Sequence, residues 1–442
     1  MSLSARHSGW SRSLLLATYG ALWTLARPAL KRNARLRPGF SQRMAPEGWA
    51  DPADLWVQAA SGGEAYLAWE LLRHLPAQPL RCLLTTCTQQ GLAILENAQT
   101  WCAEHRPELH IQTRYLPFDH PAMMARAVRA VSPRAVALLE TELWPGLLDA
   151  CRDVGVPVAV LNARMNTRSL TGYLTTRSLW QALRPTTILA ISETDARRFA
   201  TLFGEAGVQS MSNMKFDRVS PVPLHADTNP LADTVIRSGT SVITLGSVRK
   251  EEETAVRHLV EQLHSARPKT TIALFPRHME RVPHWETALT SSRLPVVRRS
   301  KLTDAPAAPG SVILWDVFGE LNHAYALSRA VFVGGSLAPL GGQNTLEPLA
   351  HGICPVTGPS DRNFAWARDL QKDHLVHREP DADAVLETLL RLVKRPSPRE
   401  EIQRRFTAWL QERQGGSQQA ADALMALLLR TSHSRKFGID IQ

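Results

Sequence analysis

From Leu55 onward, short apolar runs of strand length alternate with longer stretches that have the spacing of amphipathic helices. LWVQAA (55–60), LRCLLTT (80–86), IQTRYL (111–116), AVALLE (135–140), VPVAVLN (156–162) and TILAIS (187–192) follow one another in this way. Apolar runs with little polar alternation suit strands buried on both faces, and a strand–helix–strand order gives a parallel sheet covered by helices on both sides. The rhythm breaks at DRVSPVPLHADTNPLAD (217–233), rich in Pro and Asp. It then restarts with SVITLGS (241–247), TIALFP (271–276), SVILWD (311–316), AVFVGGS (330–336) and ICPVTG (353–358). The expected fold class is therefore α/β, with two Rossmann-like doubly wound domains, and 442 residues is the length for two cores rather than one.

The expected boundaries are an N-terminal segment (1–45), a first domain (46–216), a linker (217–233), a second domain (234–430) and a tail (431–442). The mostly helical stretch 381–429 is assigned to the second domain, with one late helix left open to cross back to the first. Ligands of such sheets bind at the carboxyl ends of the strands, so two facing sheets predict a site in the cleft between domains.

The N-terminal segment departs from the rest. SLLLATYGALWTLARPAL (13–30) is largely apolar, and Arg27, Lys31, Arg32, Arg35, Arg37 and Arg43 crowd its end, with no acid before Glu47. The apolar run is short for a spanning helix, and its heavier basic cluster follows it, opposite to the order in a secretory signal. An ordinary amphipathic helix packed on the domain is one reading; two membrane arrangements also fit, a signal anchor or a helix lying in the membrane interface beside cations that bind anionic lipid. Both membrane arrangements leave the body of the protein on the cytoplasmic side. A formal net charge of +10 favours anionic partners. Nucleic acid is disfavoured because basic and aromatic residues do not interleave in one motif. Five cysteines without zinc spacing read as buried free thiols in a reducing compartment.

Polar residues gather just after strands. Ser61-Gly62-Gly63-Glu64 puts a carboxylate in the first turn of a helix, and Glu140-Thr141-Glu142-Leu143-Trp144-Pro145 runs a strand into two carboxylates. Two like charges so close raise one pKa or require a cation, for which Lys215 in Asn213-Met214-Lys215-Phe216-Asp217 is a candidate. In the second half, Pro276-Arg277 ends one strand, Phe318-Gly319-Glu320 follows another, and Gly334-Gly335-Ser336 leads to Gly341-Gly342-Gln343-Asn344 and Glu347. The backbone amides of this glycine-rich loop could bind phosphate, and Glu347 could accept from ribose hydroxyls. Walker A, G-x-G-x-x-G, G-x-S-x-G and metal-ligand spacings are missing from the sequence, so no metal or cofactor is expected.

Taken together, SGGEA (61–65), TTCTQQG (85–91), YLPFDHP (115–121), ETELWP (140–145), LNAR (161–164), SNMKFD (212–217), FPRHMER (275–281), FGEL (318–321), FVGGSLAPLGGQNTLEP (332–348) and GPSDRNF (358–364) make the chain resemble the bacterial 3-deoxy-D-manno-octulosonic acid (Kdo) transferases. The resemblance covers about residues 14 to 370. It implies a GT-B fold and inverting transfer of Kdo from CMP-Kdo to a lipid A precursor, at the cytoplasmic face of the inner membrane, in lipopolysaccharide biosynthesis. It also implies that Glu64 is the general base and that Glu140 and Lys215 act on the transition state. The CMP contacts it implies are Pro276, Arg277, Phe318, Gly319, Glu320 and the run Asn344, Thr345, Leu346, Glu347. Phe318 stands where the family has Met, and GSVRKEEE (246–253) lacks a histidine usual there. Other GT-B enzymes, a lipid A disaccharide synthase or a sugar-nucleotide epimerase, are disfavoured by ETELWP and NMKFD. The alternative is a catalytically inactive paralogue acting as a membrane-bound CMP- and lipid-binding module.

Overall fold

A computed structural model describes residues 3–33, 36–220, 228–364 and 366–437, with side chains described from 12 to 431. They form two units, residues 1–218 with 413–442, and residues 219–412.

The first unit holds strands β1 (Leu55–Gln58), β2 (Leu80–Thr86), β3 (Leu109–Tyr115), β4 (Ala135–Leu139), β5 (Val158–Ala163), β6 (Thr187–Ala190) and β7 (Val208–Ser210). All pair in parallel, in the order β3-β2-β1-β4-β5-β6-β7. Every residue of β1, β4 and β5 is buried. The side-chain alternation of a strand splits these apolar runs between two core layers. Trp56, Val136, Leu138, Val158 and Val160 face one layer; Leu55, Val57, Ala135, Leu139 and Leu161 face the other. The strand order reverses between β1 and β4, and both run at their carboxyl ends into the motifs singled out in the sequence: β1 into Ser61–Glu64, β4 into Glu140.

Two segments join this unit that the sequence reading assigned elsewhere. The helix Gly416–Phe437 buries Ala420, Ala421, Leu424, Leu427 and Leu428 against the layer of Leu55 and Val57. Its start is clamped by Asp217, whose carboxylate accepts from the Gly415 and Ser417 amides at 2.7 and 2.6 Å. The second domain therefore stops at Glu412 rather than at 430, because the apolar face of this last helix is buried on the first sheet. The N-terminal segment is likewise part of the first unit. Its helix Leu3–Arg32 buries Leu16, and Arg12 pairs with Asp149 and Asp153. Among the described residues no helix is long and apolar enough to cross a membrane.

The second unit repeats the plan with β8 (Val242–Val248), β9 (Thr271–Pro276), β10 (Val296–Arg298), β11 (Val312–Leu314), β12 (Ala330–Val333), β13 (Val356–Thr357) and β14 (His377–Arg378), in the order β10-β11-β9-β8-β12-β13-β14. Its order reverses between β8 and β12. Of the expected linker, residues 221–227 lie outside the described residues, and Leu231 packs into the second unit's core with Val235 and Ile236, which follow it.

Candidate active site

At the carboxyl end of β1 the chain turns through Ser61 and starts the helix Gly62–His74. Ser61 caps it, and its hydroxyl also donates to Glu64 Oε1 at 3.1 Å, while Glu64 Oε2 accepts from the Ala60 amide at 2.6 Å. This is a variant of the reciprocal capping box, and it fixes the Glu64 carboxyl at the turn. Glu64 is 7% exposed. Burial, then the charges of Glu142 and Glu140, push its pKa up to about 7 against the pull of the two hydrogen bonds. Glu142 is raised too, by burial and by Glu140.

Glu140 sits one residue past β4 with φ at 58°, a left-handed conformation that costs a non-glycine residue about 1–3 kcal/mol. The strand therefore ends at Leu139, one residue short of the sequence expectation. The turn serves a contact: Glu140 Oε1 lies 2.5 Å from Lys215 Nζ. Asn162, also left-handed at φ 52° and fully buried, brings Lys215 there. Its Oδ1 accepts from the Met214 amide at 2.9 Å, and Asn213 Oδ1 accepts from the Lys215 amide at 3.0 Å. The structure thus brings Glu140 and Lys215 together and puts Glu64 within the field of Glu142 and Glu140. Asn162 and Asn213 were not singled out from sequence. The available signal was an asparagine at a strand end, where it tolerates the left-handed region better than other residues.

In the second unit the expected CMP contacts follow the carboxyl ends of three strands of one sheet: Pro276 and Arg277 at β9, Phe318–Glu320 beyond β11, and Asn344–Glu347 beyond β12. Arg277 is exposed, and among the described residues its guanidinium has no acidic partner within ion-pair distance. Phe318 is 75% exposed, an unusual position for a bare aromatic ring, and Gly319 follows at φ 87°. The Glu320 carboxylate is already engaged, with Arg299 through two contacts of 2.8 Å and with Trp315 Nε1 at 2.8 Å. The exposed Phe318 ring and the backbone of this segment are left for a ligand. Asn344 Nδ2 donates to Glu347 Oε1 at 2.9 Å, orienting that carboxylate, while Thr345 and Leu346 are buried.

Part of the glycine-rich loop is closed to phosphate. The amides of Gly335, Ser336 and Leu337 do not stand open for phosphate, because the buried carboxylate of Glu252 accepts from all three and from Arg249 N. The loop had the right geometry for an anion, and the chain supplies one of its own. Among the described residues no group of three or more His, Cys, Asp or Glu could hold a metal, and all five cysteines are free thiols.

Two parallel α/β units with their polar residues at the strand ends define the GT-B class. A UDP-GlcNAc 2-epimerase of Neisseria meningitidis, 12% identical, superposes over 85% of this chain and 99% of its own with a TM-score of 0.55, which speaks for the fold alone. Residues 32–218 match the family model described as 3-deoxy-D-manno-octulosonic-acid transferase (kdotransferase). The 3-deoxy-D-manno-octulosonic acid transferase of Bordetella pertussis is 33% identical over 92% of each chain. That of Haemophilus influenzae is 27% identical over 90% of this chain and 93% of its own. The chain belongs to the Kdo transferase family and is a glycosyltransferase.

Proposed function

We propose that this protein transfers Kdo from CMP-Kdo to a hydroxyl of a lipid A precursor, with inversion at the anomeric carbon and Glu64 as general base. The observation that carries the reading is a carboxyl group buried at a strand end, with a proton affinity near neutrality, beside a carboxylate–ammonium pair. A base is most effective when its pKa lies near the working pH. As the acceptor oxygen attacks the anomeric carbon and the bond to the CMP phosphate breaks, Glu64 takes the hydroxyl proton. Glu140 and Lys215 supply charges of both signs: Lys215 toward developing negative charge, Glu140 toward the positive character of the sugar. A phosphate leaving group makes one base and fixed charges a sufficient set.

The donor is assigned to the second unit, with Arg277 on anionic oxygens of CMP-Kdo, Phe318 and the Gly319 backbone against the nucleotide, and Glu347 on ribose hydroxyls. Glu320 contributes by holding that backbone through Arg299 and Trp315.

A lipid acceptor at the cytoplasmic face of the inner membrane suits the N-terminal helix. Leu14, Leu22 and Leu25 are 70%, 60% and 78% exposed on it. They project within one quadrant of the helix, a row that water does not favour. On the other side of the helix, where it faces the first unit, a cavity of about 210 Å³ is lined by Trp23, Arg27, Phe118, His120 and Arg126, aromatic rings and cations suited to an anionic group. Purified protein incubated with CMP-Kdo and a tetraacylated lipid A precursor should yield a product heavier by one or more Kdo residues in the mass spectrum. Tight CMP binding without product would instead favour the inactive binding module.

A further inference from the structure

The helix Pro145–Asp153 follows Glu140 and Glu142 directly, and its own sequence leaves its start uncapped. The N-cap residue is Trp144, with no side-chain hydrogen bond, and Pro145 has no N–H to offer. The first two amides that need an acceptor are those of Gly146 and Leu147. Both go to Asp119, from the YLPFDHP segment, at 2.9 Å each, one to each carboxylate oxygen. Asp119 is fully buried, and it has one further partner, the hydroxyl of Tyr19 on the N-terminal helix, at 3.0 Å. Gly146 is matched to this contact, since a Cβ there would lie 2.6 Å from the Asp119 carbonyl oxygen and 2.9 Å from Oδ1. The same helix is held again near its end, where Arg12 pairs with Asp149 and Asp153. Arg12, Leu16 and Tyr19 lie at helical spacing on one face, so one side of the N-terminal helix reaches the helix Pro145–Asp153 twice, through Arg12 near its end and through Tyr19 and Asp119 at its start.

We propose that Asp119, completed by Tyr19, is a positioning residue for the transfer: it anchors the start of the helix Pro145–Asp153 and thereby holds Glu140 and Glu142 in place beside Glu64. The acidic loop is pinned at its other end by the Glu140 amide, which donates to Leu161 O at 3.0 Å. With Asp119 removed, the anchor at Gly146 and Leu147 is lost, beginning six residues after the strained Glu140 turn. The proposal rests on the reading of Glu64 as base, and it adds that the seat of the N-terminal helix reaches the catalytic carboxylates through one buried group. The groups that face Asp119 are Tyr19, Asp149 (itself paired with Arg12) and the Cys151 thiol. Those around Glu64 are Glu140 with its Lys215, Glu142, and the Cys87 thiol, which burial keeps neutral and whose carbonyl binds Arg43.

The test compares pH–rate profiles of the full-length protein and of Asp119→Asn, Tyr19→Phe and Glu142→Gln, with melting temperatures. A displacement of about 1 Å at reacting groups can cost about 100-fold in rate. Asp119→Asn keeps the shape but cannot accept from both amides. It should lower kcat about 10- to 100-fold with KM for CMP-Kdo unchanged, and move the acid limb of kcat/KM to lower pH, because Glu142 and Glu140 no longer raise Glu64. Tyr19→Phe, a milder change that removes the hydroxyl donor to Asp119 and loosens the carboxylate's hold on the two amides, should move both readouts the same way by less. Glu142→Gln calibrates the shift. A lowered melting temperature with kcat and the acid limb unchanged, in either Asp119→Asn or Tyr19→Phe, would make the contact structural only and overturn the proposal. Should Asp119→Asn not fold, Tyr19→Phe decides alone. Glu64→Gln, assayed in parallel, separates the two ideas: if it retains turnover, the base assignment fails, whatever Asp119 does.

Discussion

Glu252 gives the sharpest test of how the second unit is built. It is 2% exposed and accepts from four backbone amides, those of Arg249, Gly335, Ser336 and Leu337. Burial raises its pKa, and the four amides pull the other way. Replacing it with alanine removes the acceptor that, among the described residues, these donors share and leaves two of them, at the buried residues Gly335 and Ser336, without access to water. An orphaned buried donor costs about 1–3 kcal/mol, and removing one side of a buried charged network costs about 3–5 kcal/mol in all. A loss of about 3–5 kcal/mol is therefore expected, which for a unit of this size lowers its melting transition by roughly 6–20 °C. Glu252→Gln, which keeps one acceptor oxygen, should fall between. The assay is urea and thermal unfolding of the full chain. An additional readout is specific to the geometry: the vacated amides should take up inorganic phosphate, so phosphate should restore stability to Glu252→Ala and not to the parent. A loss under about 1 kcal/mol, or equal phosphate effects on both proteins, would refute the account of this loop.

Three further outcomes follow from the sites. Glu64 has a pKa raised from 4.5 to about 7, so between these values the folded state binds more protons than the unfolded one and stability falls as pH rises; Glu64→Gln should therefore melt higher than the parent at pH 8, by up to about 3 kcal/mol at about 1.4 kcal/mol per unit, and lose that advantage below pH 4.5, whereas equal melting at both pH values would contradict the buried, raised carboxyl. Arg277→Ala should weaken CMP-Kdo binding by about 1.5–3 kcal/mol, the scale of a charge-assisted hydrogen bond, and calorimetry giving an unchanged Kd would remove Arg277 from the donor site. Replacing Leu14, Leu22 and Leu25 together with glutamate should abolish binding to vesicles containing anionic lipid while CMP affinity stays the same; unchanged vesicle binding would mean that this face does not meet the membrane. The leucines are the better probe than deletion of the whole segment, since Leu16 and Arg43 are buried in the first unit.

The sheets were legible where burial on both faces wrote a continuous apolar run. The segments 80–86 and 271–276 are strands at the limits read from sequence. The edges were not: β7, β10 and β14 are two or three residues long and none of their residues is buried, so no hydrophobic pattern marks them. The Glu140–Lys215 pair was legible because two close carboxylates require a cation, and Lys215 lay in the one polar motif at the right place in the chain order. The roles of Asp119 and Glu252 were not. Asp119 meets Tyr19 across 100 positions, and Glu252 meets Gly335 across 83. Both caps are supplied from elsewhere in the fold to amides whose own neighbourhood has no acceptor, and no local signal announces such a partner. The last helix could only be left open between the two domains, for a related reason: its apolar positions say that it must be buried, not on which sheet.

The most direct measurement of the central claim is the transfer reaction itself, run with CMP-Kdo and a tetraacylated lipid A precursor, for the parent protein and for Glu64→Gln at matched CMP affinity. The account predicts Kdo-bearing lipid from the parent, with an acid limb near pH 7, and a rate about 10²–10⁴-fold lower for Glu64→Gln. Equal turnover by the two proteins would contradict it.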